Sequence, residues 1–133
     1  MSVSKKLMVG CLVFGICGQP LMAKTLRDIE TVDTALFQLS LAYSIQKHCP
    51  SIKPRLFRAL GFKNRIMSDA RSHGFTDRQI EDHVDSKVEQ ARMQGMVDEH
   101  MLASGQVVGS SDGYCAIGAT EMAQNTAAGR LLR

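Results

Sequence analysis

Once an apolar N-terminal run is set aside, two cysteines remain, Cys49 and Cys115, and a bond between them would tie together distant parts of the chain. The run itself reads as an export signal. Lys5 and Lys6 form a positive start, Leu7–Gly18 is continuously uncharged and mostly apolar, and Pro20 and the small Ala23 suit cleavage after residue 23. The uncharged stretch from Leu7 to Ala23 lies at the short end of what a helix needs to cross about 30 Å of hydrocarbon. Bulky Ile16 before Cys17 does not suit lipidation. The expected organisation is a signal peptide over 1–23, a helical domain over 24–133 and a periplasmic destination.

Export changes what the cysteines imply. Cys11 and Cys17 would leave with the leader, and an even pair in an oxidising compartment predicts one disulfide, Cys49 to Cys115. Closing a loop of that length would stabilise the fold by up to about 4 kcal/mol. A redox or metal thiol pair is the rival reading. It is disfavoured because neither cysteine has a second thiol near it in sequence and no Cys-x-x-Cys occurs. Removing the leader also lowers the net charge from +3 to +1, with 14 basic and 13 acidic residues left over 24–133. A nucleic-acid partner is therefore not expected, since phosphate binding calls for a basic excess.

Hydrophobic spacing after the leader is helical over four segments. Over Asp28–His48, Ile29, Val32, Leu36, Leu39 and Tyr43 step by three and four, with Phe37, Leu41 and Ile45 on a neighbouring ridge, and Pro50 ends the run. A second helix is expected from Lys53 to Ser72. Ser51 is its candidate cap, Pro54 falls in the first turn, and Leu56, Phe57, Ala59, Leu60, Ile66, Met67 and Ala70 form its apolar stripe. Gly61 is a candidate break and Gly74 the stop. Phe75-Thr76-Asp77-Arg78-Gln79-Ile80 carries a capping box with a hydrophobic staple. It opens a third helix predicted to continue to Gly105, about 40 Å long at 1.5 Å per residue, with Ile80, Val84, Val88 and Ala91 facing inward and a bend expected near Gly95. After a Gly/Ser-rich loop over 105–113, capped by Ser111 or Asp112, a last helix is expected from Tyr114 to Leu132, with Ala119, Ala123 and Ala127 on its inner face. No alternation long enough for a sheet occurs. The predicted fold is all-α: a four-helix antiparallel bundle stapled by one disulfide.

The segments Lys47-His48-Cys49-Pro50-Ser51-Ile52, Tyr114-Cys115-Ala116-Ile117-Gly118 and Gly129-Arg130-Leu131-Leu132-Arg133 carry a resemblance. In them the chain resembles a family of small secreted alphaproteobacterial proteins, a domain of unknown function with a Cys-Pro and Tyr-Cys pair. The resemblance implies a cleavable signal, helices and a Cys49–Cys115 bridge, and it implies no activity.

The residues offer little that is catalytic. His48 and His73 fall in last helical turns, where the helix dipole favours a cation, and His83 and His100 are spaced so that they would not face one metal ion. Glu81, Asp82, Asp85, Asp98 and Glu99 read as a solvated face, and Met93 with Met96 as core filling. No Gly-x-Ser-x-Gly, phosphate loop or dinucleotide fingerprint is present. The expectation is no catalytic residue, no cofactor and no metal. The leading reading is a non-catalytic periplasmic protein that acts by binding another protein, as an accessory subunit on a membrane complex such as a respiratory assembly. Membrane contact is expected only through that partner or an uncut leader. A periplasmic stress chaperone is the alternative, and a small hydrolase or metal binder ranks third.

Overall fold

The computed structural model describes residues 23–133, so the signal expected over 1–23 lies, but for its last residue, outside the described residues. Among these residues there are five α-helices and no strand: α1 (Glu30–His48), α2 (Leu56–Ser72), α3 (Asp77–Asp85), α4 (Lys87–Ala103) and α5 (Ser111–Ala123). One-turn 3-10 helices occupy Leu26–Asp28 and Gly129–Leu131. Helix α1 lies at the centre and packs against α2, α4 and α5.

The core has two parts along α1. At its C-terminal end Leu41, Ala42, Ile45 and Cys49 pack with Ile52, Val97, Met101, Tyr114, Ile117, Leu131 and Leu132. At its N-terminal end Val32 joins Leu26, Ile29, Ile66, Ala70 and Ile80. The disulfide closes the first cluster, with Cys49 and Cys115 Cα atoms 5.0 Å apart. It links the residue after α1 to the first turns of α5, as the chain order implied.

Three boundaries differ from the four-helix expectation. The long third helix is two helices, because Ser86 takes an extended conformation and its hydroxyl accepts the N–H of Glu89, capping a fresh start. That break turns Val84 and Val88 out to solvent instead of the core. Neither Gly61 nor Gly95 interrupts its helix. Helix α2 begins at Leu56 because Lys53 and Pro54 are held in an extended bridge to the chain's end: Lys53 and Arg133 exchange both backbone bonds at 2.8 Å, and Pro54 faces Leu132. The last helix stops at Ala123. Asn125 takes the left-handed conformation that ends it, with Asn125 N–H bonded to Met122 and Thr126 N–H to Glu121, so that Ala128, Leu131 and Leu132 fold back into the core.

The inner face of α5 is also not the alanine row. Ala119 and Ala123 are exposed, and Tyr114, Ile117, Gly118 and Glu121 face inward. Gly118 is what permits close approach, since a Cβ there would collide with Ile45 and Ile52. Gly129 is similarly pressed onto the backbone of Glu121 and Met122. Ser110, not Ser111 or Asp112, caps α5. The expected capping box at Thr76 is present, and Gly74 at φ +92° ends α2.

Candidate functional site

The most telling departure from the expected core is at the start of α2. Leu56, Phe57 and Leu60 carry helical spacing that reads as a buried stripe, yet they are 72%, 93% and 56% exposed. The helix is rotated so that Ile66 and Ala70 meet α1 while its first two turns stand proud. Beside this ridge a cleft of about 310 Å³ runs between α2 and the C-terminal segment, lined by Phe57, Arg58, Phe62, Arg65, Arg130 and Leu131 among others. The Arg65 guanidinium lies 5.4 Å from the centre of the Phe62 ring, and Arg130 donates to the Asn125 carbonyl at 2.8 Å. Arg58, Arg65 and Arg130 form no ion pair with any described residue.

A second concavity, about 570 Å³, lies between α1, the end of α3 and the start of α4. Leu36, Leu39, Tyr43, Val84 and Met93 give it an apolar floor. Glu89, on its rim, belongs to the densest charge network among the described residues. Arg92 forks onto Asp33 and also donates to Glu89 at 3.0 Å, and Glu89 pairs in addition with Arg27. The hydrogen bond from Arg27, with that from Arg92, outweighs burial and pulls the Glu89 carboxyl down to about 2. His83 sits 3.6 Å from Glu89, too far for a hydrogen bond, with its Nε2 buried and unpartnered. Burial lowers its pKa, opposed by Glu89 and Asp33 and assisted by Arg92 and Arg27, so the fold disfavours the imidazolium. This network consumes its own charges and ties the Leu26–Asp28 turn, α1 and α4 together.

The remaining histidines are engaged in structure. His48 Nδ1 lies 2.9 Å from the Ser44 carbonyl, and its ring stacks on Tyr114 at 4.5 Å. His73 caps α2 and lies 3.6 Å from Asp69. His100 bonds Glu121 at 2.9 Å, and Glu121 also accepts from Thr126. Glu121 is a buried carboxylate that periodicity could have flagged, since it shares a helix face with Ile117 and Gly118. Its two partners hold the turn after α5, and no serine or cysteine is hydrogen-bonded to the other nitrogen of His100. Cys49 and Cys115 are bonded to each other, Met93 is core, and Glu81, Asp82, Asp85 and Glu99 face solvent while Asp98 is half-buried. Among the described residues no three of His, Cys, Asp and Glu converge as metal ligands. No described helix is long and apolar enough to cross a membrane.

The comparison with known proteins addresses family and not activity. No curated protein and no solved structure matches the chain. A family of unknown function, DUF5333, matches residues 24–133, the whole span after the expected cleavage point. The match over residues 24–133 carries the assignment: the chain belongs to the family of unknown function DUF5333.

Proposed function

We propose that the protein is an exported, non-catalytic docking module that acts by binding another protein, as an accessory subunit on the periplasmic face of a membrane complex such as a respiratory assembly. The observation that carries this reading is the ridge Leu56–Phe57–Leu60. A phenylalanine 93% exposed, with two leucines within one helical turn of it, is an apolar surface with no internal partner. Such contiguous exposure marks interaction surfaces, whereas isolated exposed leucines are ordinary. Aromatic side chains are also the residues that most often anchor interfaces. The bonded cysteine pair and the leader support export.

The chaperone alternative calls for acid-triggered loosening near pH 3. The lowered pKa values of Glu89 and His83 give a stability that declines on acidification, and dye binding near pH 3 tests the alternative, unchanged binding there removing it.

A photo-crosslinking amino acid at position 57, introduced into the full-length chain in its own cells, tests the reading. A discrete protein adduct at position 57 and none at the exposed control position 124 is expected. Equal labelling at both positions, or none at either, would overturn it.

A further inference from the structure

Resting on that docking reading, we propose that the cleft between α2 and the C-terminal segment takes an acidic, amphipathic segment of the partner protein. An apolar side chain of that segment enters between Phe57 and Phe62, and the carboxylates flanking it reach Arg58, Arg65 and Arg130. Charge distribution is the first argument. Lys53, Arg55, Arg58, Lys63, Arg65, Arg130 and Arg133 are half of the 14 basic residues in 24–133, and the stretches 53–65 and 126–133 contain no Asp or Glu. A chain almost neutral overall is therefore strongly polarised at this end.

The second argument is pairing. Arg27, Arg71 and Arg92 each find a carboxylate within the protein, while the three arginines of the cleft do not. Arg58 and Arg65 lie two turns apart on one side of α2, about 10 Å along its axis, with Arg130 across the cleft. Guanidinium forks match carboxylates in bidentate geometry. The third argument is shape: a concave cleft about 310 Å³ in volume admits an inserted side chain, which a flat bilayer surface does not supply. A second copy presenting the same face would bring like charges together.

The test uses the disulfide-bonded chain with its leader removed and three probes. These are a fluorescein-labelled synthetic helix with a Leu/Phe stripe and glutamates on its other faces, the same helix with lysines for glutamates, and vesicles of phosphatidylethanolamine and phosphatidylglycerol. The glutamate helix binds saturably and more weakly as salt is raised. Arg58→Gln with Arg65→Gln, and separately Phe57→Ser, each weaken it at least about tenfold with helix content unchanged. Equal binding of the lysine helix, vesicle binding without glutamate-helix binding, self-association that blocks the probe, or no binding would each overturn the proposal. The cellular adduct separates the two ideas. If crosslinking at position 57 persists undiminished in the Arg58→Gln, Arg65→Gln chain, docking stands and the acidic partner falls.

Discussion

The two ends of α1 use arginine in opposite ways. At the N-terminal end Arg92 and Arg27 are bonded to Asp33 and Glu89 from three different elements, over a core cluster that no covalent bond closes. At the C-terminal end a disulfide and the Pro54–Leu132 bridge hold the chain, and Arg58, Arg65 and Arg130 are left facing solvent around exposed apolar side chains. A charge satisfied within the fold contributes to stability and offers a partner little. An unsatisfied one beside an exposed phenylalanine contributes little to stability and is available to a ligand. The difference suggests that the covalent staple leaves the second end's charges free for a role other than holding the fold.

The comparison can be broken most forcefully at the staple. Cys49→Ser with Cys115→Ser should lower stability by up to about 4 kcal/mol, measured by denaturant unfolding, through the entropy returned to the unfolded chain. Amide exchange should show the loss concentrated around α5 and the C-terminal bridge if the two ends are separable. Next in size is Arg92→Ala, which strands Asp33 and leaves Glu89 with Arg27 alone. It should cost about 1–3 kcal/mol at neutral pH, the penalty for leaving a half-buried carboxylate without its partner. A similar cost from Arg65→Ala would erase the contrast.

Acid titration sharpens the same point. Glu89 has a folded pKa of about 2, below its ordinary 4.5, so its contribution is full above about 4.5 and is lost as pH falls towards 2. His83 is lowered from 6.5, so the folded state disfavours its protonation, and stability declines as pH falls below 6.5. Both slopes have the same sign, and melting temperature should fall on acidification. In Glu89→Gln the fall between pH 4.5 and 2 should become shallower, and in His83→Asn the fall just below pH 6.5 should. The smallest expected effects are at the other end: Arg58→Gln, Arg65→Gln and Phe57→Ser should each move stability by no more than about 0.5 kcal/mol, read from the same unfolding curves.

Where local chemistry decides the backbone, the chain can be read directly. Thr76 and Gln79 bond each other's backbones as their spacing requires, Gly74 takes a positive φ, and Cys49 ends α1 before Pro50. The division of the third helix was also written locally, in Ser86-Lys87-Val88-Glu89, a cap followed three residues on by glutamate. It is easily overlooked because the apolar spacing runs on through it. Asn125 in place of glycine hides the end of α5 in the same way.

The binding candidates were less legible. Leu56, Phe57 and Leu60 have the spacing of a core stripe, and spacing says which residues share a face without saying whether that face meets another element. The pairing of Arg92 with Asp33 joins residues on helices distant in sequence, and the Arg130 cleft exists only because the chain's end folds back onto α2.

The sequence by itself determined helical class, the capping box at Thr76 and the cysteine pair, because these rest on backbone chemistry and on composition. Tertiary structure alone decided which apolar faces are covered and which arginines find carboxylates. Those outcomes depend on the rotation of each helix against its neighbours, here settled where Gly118 lets α5 close on α1 and Gly129 lets the C-terminal turn close on α5.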